Sequence, residues 1–165
     1  MKLKYFSWLP AFCIMGAIFW FSSRTAELSQ ESSLSISMVI FNLCDKLLNS
    51  SIQNPERLEL LTVIDHIVRK SAHFTEYAFL CAAIVFHFTV WKKGISYTTW
   101  IPVLITGLYA ASDEYHQTFV EGRSGQVSDV LLDTAGAVAG VIIFRFIYLL
   151  ILRYSEKRRK ITGWA

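Results

Sequence analysis

The stretch VLLDTAGAVAGVIIFRFIYLLIL, residues Val130 to Leu152, decides the fold. At 1.5 Å per helical residue it is about 35 Å long, enough to cross the roughly 30 Å hydrocarbon core of a bilayer. Only Asp133 and Arg145 interrupt it with charge. Arg145 lies near the end that precedes the basic tail, where a long side chain can snorkel to the headgroups. Gly136 and Gly140 stand four residues apart, the spacing at which two helices in lipid bring their backbones together. Ala135 and Ala139 broaden that small-residue face, which is expected to pack within a bundle rather than to dimerise.

Outward from this run the chain repeats the pattern. Of 165 residues, 53% are hydrophobic and 15% aromatic, too apolar for an ordinary water-soluble domain. Four spans are predicted, at approximately 5–21, 72–90, 98–113 and 130–152. Residues 1–165 therefore read as a single all-α domain: an integral membrane four-helix bundle with additional amphipathic helices in the first extracytoplasmic loop. No internal repeat or low-complexity tract breaks it.

Charge orients the spans. Lys2 and Lys4 precede the first, Lys92 and Lys93 fill the turn after the second, and Arg153, Lys157, Arg158, Arg159 and Lys160 follow the fourth. All acids but Glu156 lie in the other two connections or beside them. The positive-inside bias predicts that both termini are cytoplasmic. The basic tail reads as a solvated anchor at the lipid surface, not a nucleic-acid site. In Phe21-Ser22-Ser23-Arg24-Thr25-Ala26, Arg24 interrupts the small residues that a signal-peptide cleavage site needs, so the first span is expected to be retained. Cys13, Cys44 and Cys81 make no disulfide framework and read as packing residues.

Between the first two spans, Ile36, Ile40, Leu43 and Leu47, then Leu58, Leu61, Ile64 and Val68, recur at helical spacing. Two amphipathic helices are predicted, the second starting at Asn54-Pro55 and running into the second span. Interfacial packing is the favoured role, a lid over the bundle the other. Gly122 and Gly125 mark a turn around Arg123, and Ser128 is a candidate cap for the last helix.

Ionisable groups gather at one depth. Arg69, His73 and Glu76 share a helix face with Tyr77 beside them, and Asp113, His116 and Gln117 share another, with Glu114 pointing elsewhere. Asp129 and Asp133 lie one turn apart in the last span and continue into the glycine face. Such groups are expensive in a membrane and normally face the bundle interior, where they mark function. Helix capping and pairing of Glu76 with Arg69 or Lys70, or of Asp113 with Arg123, explain any one of them. Together the carboxylates exceed Arg69, Lys70 and Arg123, which points to a bound cation or shared protons. His66 reads as a loop residue and His87 as a satisfied core histidine.

These groups predict chemistry on a phosphate-linked headgroup at the membrane surface. His73, Glu76, Asp113, His116 and Asp129 are the candidate catalytic residues, with His73 or His116 as base or nucleophile. Arg123 and Arg69 are the candidate phosphate clamp. Glu76, Asp113, Asp129 and Asp133 are the candidate ligands of a divalent cation, the one cofactor the pattern suggests. The expected partners are membrane lipids or a lipid-linked envelope precursor, and no nucleic acid. Soluble-enzyme signatures such as a phosphate-binding glycine loop or His-Glu-x-x-His are absent from the sequence.

Phe21-Ser22-Ser23, Lys70-Ser71-Ala72-His73-Phe74-Thr75-Glu76-Tyr77, Asp113-Glu114-Tyr115-His116-Gln117-Thr118-Phe119, Gly122-Arg123, and Asp129 followed by Gly136 and Gly140 together resemble the VanZ-like family. Asp133 stands where asparagine is expected in many members, and Val120-Glu121 replaces a turn that frequently contains proline. The resemblance implies a multi-pass protein of the bacterial cell membrane, with an effect on glycopeptide (teicoplanin) susceptibility attached to the founding member. It also implies, by fold-level analogy, kinship with enzymes that exchange lipid headgroups, such as phosphatidylserine synthases. A lipid headgroup transferase or phosphoesterase is the leading expectation. The alternative is a non-catalytic protein that binds or masks an envelope lipid or a lipophilic antibiotic. A proton-coupled transporter ranks third, because the charges cluster at one face.

Overall fold

The computed structural model describes residues 2–48 and 54–162. Among them the chain is all-helical and contains no strand. After a short 3-10 turn at Lys2–Phe6 come α1 (Leu9–Ser22), α2 (Ala26–Leu48), α3 (Asn54–Val90), α4 (Trp100–Gln117) and α5 (Val127–Thr162). Three stretches are long and apolar enough to cross a membrane: Lys4–Ser22, Glu56–Val90 and Val127–Arg159. Helix α4 is not among them, because its last turns carry Ser112, Asp113, Glu114, His116 and Gln117.

The 37-residue α3 is the organising element. It packs against every other helix, most extensively against α5. The two run side by side in the same direction. Lys70 meets Asp129, Phe74 meets Gly136, and Ala78 meets Gly140, so the two helices stay side by side over about two turns of α3. At both glycines a Cβ would overlap a backbone carbonyl of α3. The small-residue face therefore joins helices within the bundle, as its spacing predicts. Its third member is Ala137, fully buried, and not Ala135, which is exposed. Tyr77, Leu80, Ile84 and Ala110 join Ala11 and Ile18 in the main core. Arg145 donates to the hydroxyls of Thr98 and Thr99, which fastens α5 to the turn before α4.

Helix α3 starts at Asn54 and is continuous through the second predicted span, while α2 folds back along its first half. The face that α2 presents inward is Ser33, Ser37 and Phe41, all buried. The predicted apolar stripe of Ile36, Ile40, Leu43 and Leu47 is exposed instead. This is the reverse of a water-soluble amphipathic helix and the usual preference of helices packed in lipid, where small and hydroxyl side chains meet each other. Buried Asp65 links the pair: it accepts from the Ser37 hydroxyl at 3.3 Å and pairs with Arg69 at 3.4 Å.

Other local expectations change. Helix α5 begins at Val127, so Ser128 lies inside its first turn rather than capping it. His66 is on α3, not in a loop. His87 is buried and satisfied, hydrogen-bonded to Ser7 at 2.8 Å and stacked on Trp8. Of the cysteines, only Cys81 is buried; Cys13 and Cys44 are exposed.

Candidate functional site

A cavity of about 450 Å³ opens where the end of α1, the start of α2, the middle of α3, the end of α4 and the α4–α5 turn converge. Each wall has a local cause. Serine and arginine end α1 and turn the chain into α2, whose first amide, Ala26 N–H, donates to the Glu121 carbonyl at 3.2 Å. That bond fastens the α1–α2 turn to the α4–α5 turn. Gly122 takes φ +74°, a left-handed conformation that side chains disfavour, and so brings Arg123 back toward the bundle. The guanidinium donates to Gln117 Oε1 at 3.2 Å and to the Phe21 carbonyl at 3.5 Å.

A chain of hydrogen bonds leads inward from there. Gln117 Nε2 donates to Asp113 Oδ2 at 3.2 Å, and the Tyr77 hydroxyl donates to the same oxygen at 3.1 Å. Glu114 does not stand apart from this chain: its Oε1 accepts from the same Gln117 Nε2 at 3.3 Å, while its Oε2 accepts from Gln126 N–H at 2.9 Å and ties down the turn. Lys70 pairs with Asp129 across the α3–α5 seam. Arg123 forms no ion pair among the described residues. Burial pulls its pKa below the usual arginine value, opposed by the nearby Asp113 and Glu114 carboxylates. A half-buried cation in that position gains from any anion that enters.

The structure brings six of the candidate residues to the cavity: Arg69, His73, Glu76, Asp113, Arg123 and Asp129. Two lie elsewhere. His116 does not line it; its ring packs on Phe19 with centroids 4.8 Å apart. Asp133 is fully buried behind His73, with Oδ2 3.9 Å from His73 Nδ1. The candidate cation ligands are not gathered into a shell. Among the described residues no group of three or more His, Cys, Asp or Glu is placed to hold a metal ion. Asp129 is engaged by Lys70, Asp113 by Tyr77 and Gln117, and Asp133 faces His73.

Sequence reasoning missed Arg24, Ser29, Ser32 and Ser33, which line the cavity from the α1–α2 turn and α2. The repeat Ser29, Ser33, Ser37 at four-residue spacing was the available signal. With Arg24 counted, the lining bases Arg24, Arg69, Lys70 and Arg123 outnumber the lining acids Glu76, Asp113 and Asp129. The excess of carboxylate inferred from sequence narrows to one and lies behind the wall, in buried Glu114 and Asp133.

Exposed phenylalanines are spread along the helices, but exposed tryptophan and tyrosine residues lie toward the ends: Trp20 and Tyr115 near the cavity, Tyr5, Tyr97 and Trp100 at the other end. A family model described as VanZ/LLP1 matches residues 7–150, in agreement with the resemblance drawn from the motifs. No curated protein and no solved structure matches the chain.

Proposed function

The chain belongs to the VanZ/LLP1 family, and from that premise we propose that it is a membrane enzyme acting on the phosphate-linked headgroup of a lipid or polyprenyl carrier. One observation carries the reading. Arg123, half-buried and without a carboxylate partner among the described residues, lines the same cavity as His73 and Glu76. An anion clamp beside a base is the minimum equipment for phosphoryl or phosphatidyl transfer. The serine hydroxyls of α2 suit the polar part of a headgroup, and the exposed Trp20 and Tyr115 near the cavity support a position at headgroup depth.

In this reading the charge bias makes the cavity face the outer leaflet, with α4 as a fourth span and both termini cytoplasmic. Arg123, with Arg69 and Lys70 nearby, holds the non-bridging oxygens. His73 accepts the proton of the attacking hydroxyl. Asp113, anchored by Tyr77 and Gln117, fixes the wall opposite.

The test is mass spectrometry of membrane lipids and lipid-linked wall intermediates from cells that make no protein, wild type, or Asp113→Asn at equal abundance. A headgroup species altered by wild type alone supports the enzyme. No change in any lipid overturns it.

The exposed apolar stripe of α2 favours a second reading, a binding protein that masks an envelope lipid or lipophilic antibiotic. Replacing Ile36, Ile40, Leu43 and Leu47 by serine then abolishes protection, whereas Asp113→Asn leaves it intact.

A further inference from the structure

We propose that Asp133 is a positioning residue for His73: its carboxylate accepts the Nδ1 proton and so leaves Nε2 of the imidazole free toward the cavity. The proposal deepens the reading of the cavity as a phosphate-transfer site and rests on it for its chemistry, but not for its geometry.

Asp133 is fully buried, and neither of its carboxylate oxygens has a hydrogen-bond partner among the described residues. His73 Nδ1 is likewise buried without a partner, 3.9 Å away. Buried polar atoms left unpaired are rare in native proteins, and two such atoms facing each other satisfy both by a small closure. No other role is evident for Asp133. Of the neighbouring carboxylates, Asp129 is taken by Lys70, and Asp113 has Oδ2 held by Tyr77 and Gln117 while its Oδ1 is buried without a partner; it is Asp133 that the structure places within 3.9 Å of His73 Nδ1.

The backbone fixes the approach. Gly136, three residues after Asp133, lies against the Phe74 carbonyl, one residue after His73. The close contact of α3 and α5 therefore sits beside the pair and sets its distance. Parallel register gives each turn of α5 one partner on α3: Asp129 with Lys70, then Asp133 with His73.

A neutral imidazole carries one proton, and the hydrogen bond made by one nitrogen decides which. With the proton on Nδ1 directed to Asp133, the Nε2 lone pair faces the cavity that the His73 ring lines. Nε2 then takes the proton from the hydroxyl of an incoming water or alcohol. That oxygen forms its bond to phosphorus as the bond from phosphorus to the departing headgroup oxygen breaks. His73 returns the proton to the departing oxygen. The exchange balances without an electron carrier, and Asp133 stabilises the imidazolium formed on the way.

The full chain in lipid nanodiscs, labelled with 15N-histidine, tests this, with the His73 signals assigned by their loss in His73→Gln. The expected result is the Nδ1-protonated tautomer in wild type, replaced by the Nε2-protonated one in Asp133→Ala. In the same preparations Asp133→Ala lowers kcat about a hundredfold, within the range of general-base contributions, and leaves KM within about threefold. A wild-type His73 protonated on Nε2 overturns the proposal even if Asp133→Ala does not fold, and so does a tautomer unchanged by Asp133→Ala. A tautomer that behaves as expected in a protein that turns over no phosphate-linked lipid sinks the phosphate-transfer reading and leaves the pair standing.

Discussion

Gly136 on α5 lies so close to the backbone carbonyl of Phe74 on α3 that a Cβ on Gly136 would overlap the carbonyl oxygen. Gly140 stands in the same relation to Ala78 one turn further on. The obstacle at each site is backbone, which cannot rotate away as a flexible side chain can. Gly136→Ala and Gly140→Ala should therefore each destabilise the fold by about 1–3 kcal/mol, the usual penalty of overpacking. A methyl group at Gly16 on α1 would meet nothing within 4 Å, so Gly16→Ala should be neutral or stabilise by up to about 1 kcal/mol through helix propensity. Thermal unfolding of the three variants in one detergent checks the contrast; equal shifts at Gly16 and Gly136 would refute the close contact.

Lys70 and Asp129 neutralise each other at the cavity wall. Asp129→Asn should release the ammonium beside Arg69 and Arg123 and tighten binding of glycerol phosphate about fivefold, roughly 1 kcal/mol. Lys70→Gln should weaken it. Calorimetric titration reads both, and weaker binding in Asp129→Asn would mean that the carboxylate itself contacts the ligand.

Arg123 is a strut, since it donates to Gln117 and to the Phe21 carbonyl from the turn that closes the cavity, and in the proposed reaction it is also the phosphate clamp. A lysine keeps the charge but loses the fork that reaches two acceptors at once. Arg123→Lys should lower kcat/KM about 10–100-fold with little change in Tm, whereas Arg123→Ala should also lower Tm. Lipid turnover followed by 31P NMR, paired with melting curves, separates the two roles.

Asp65 joins α2 to α3 through Ser37 and holds Arg69 toward the cavity. Asp65→Ala should cost about 0.5–1.5 kcal/mol, the worth of the bond that joins α2 to α3, since the Ser37 hydroxyl keeps its donation to the Ser33 carbonyl. The loss should appear locally, as faster hydrogen exchange of the α2 amides, before any change in α5. Uniform acceleration across the chain would show that α2 is not a separable unit.

What was legible in the sequence follows from which physical rule acts alone. The run from Val130 to Leu152 was readable because hydrocarbon thickness demands a length and composition that few other structures share. Gly136 and Gly140 were readable because close helix approach in lipid has a fixed spacing. The inward face of α2 was not, since periodicity locates an apolar stripe without saying whether water or lipid lies outside it; Ile36 and Ile40 turned outward and Ser33 and Ser37 inward. His116 and Asp113 lie about 60° apart on α4 at 100° per residue, too close for spacing to tell the cavity edge of a face from the edge that meets Phe19 on α1. Arg24 escaped notice because its place in the cavity wall depends on the bond from Ala26 to Glu121, which no local pattern records.

Cys44 lets the orientation be read in intact cells. It is exposed on α2, in the connection whose acids the positive-inside bias assigns to the outer side, while Cys81 is buried in the core and Cys13 lies exposed within the first apolar run. A membrane-impermeant maleimide should label Cys44 without permeabilisation, leave Cys81 unlabelled until the protein is denatured, and react poorly with Cys13, whose surroundings are hydrocarbon if α1 spans. A tag placed after Ala165 should become accessible only once the membrane is opened. If α3 crosses from Ala72 onward, as the sequence predicts, then the start of α5, which lies beside Lys70, and the cavity share a side with Cys44 on α2, which folds back along the first half of α3. Labelling of Cys44 from outside therefore puts the Arg123 clamp at the outer leaflet. Labelling only after permeabilisation would turn the whole bundle over and direct the search for a substrate to the inner leaflet.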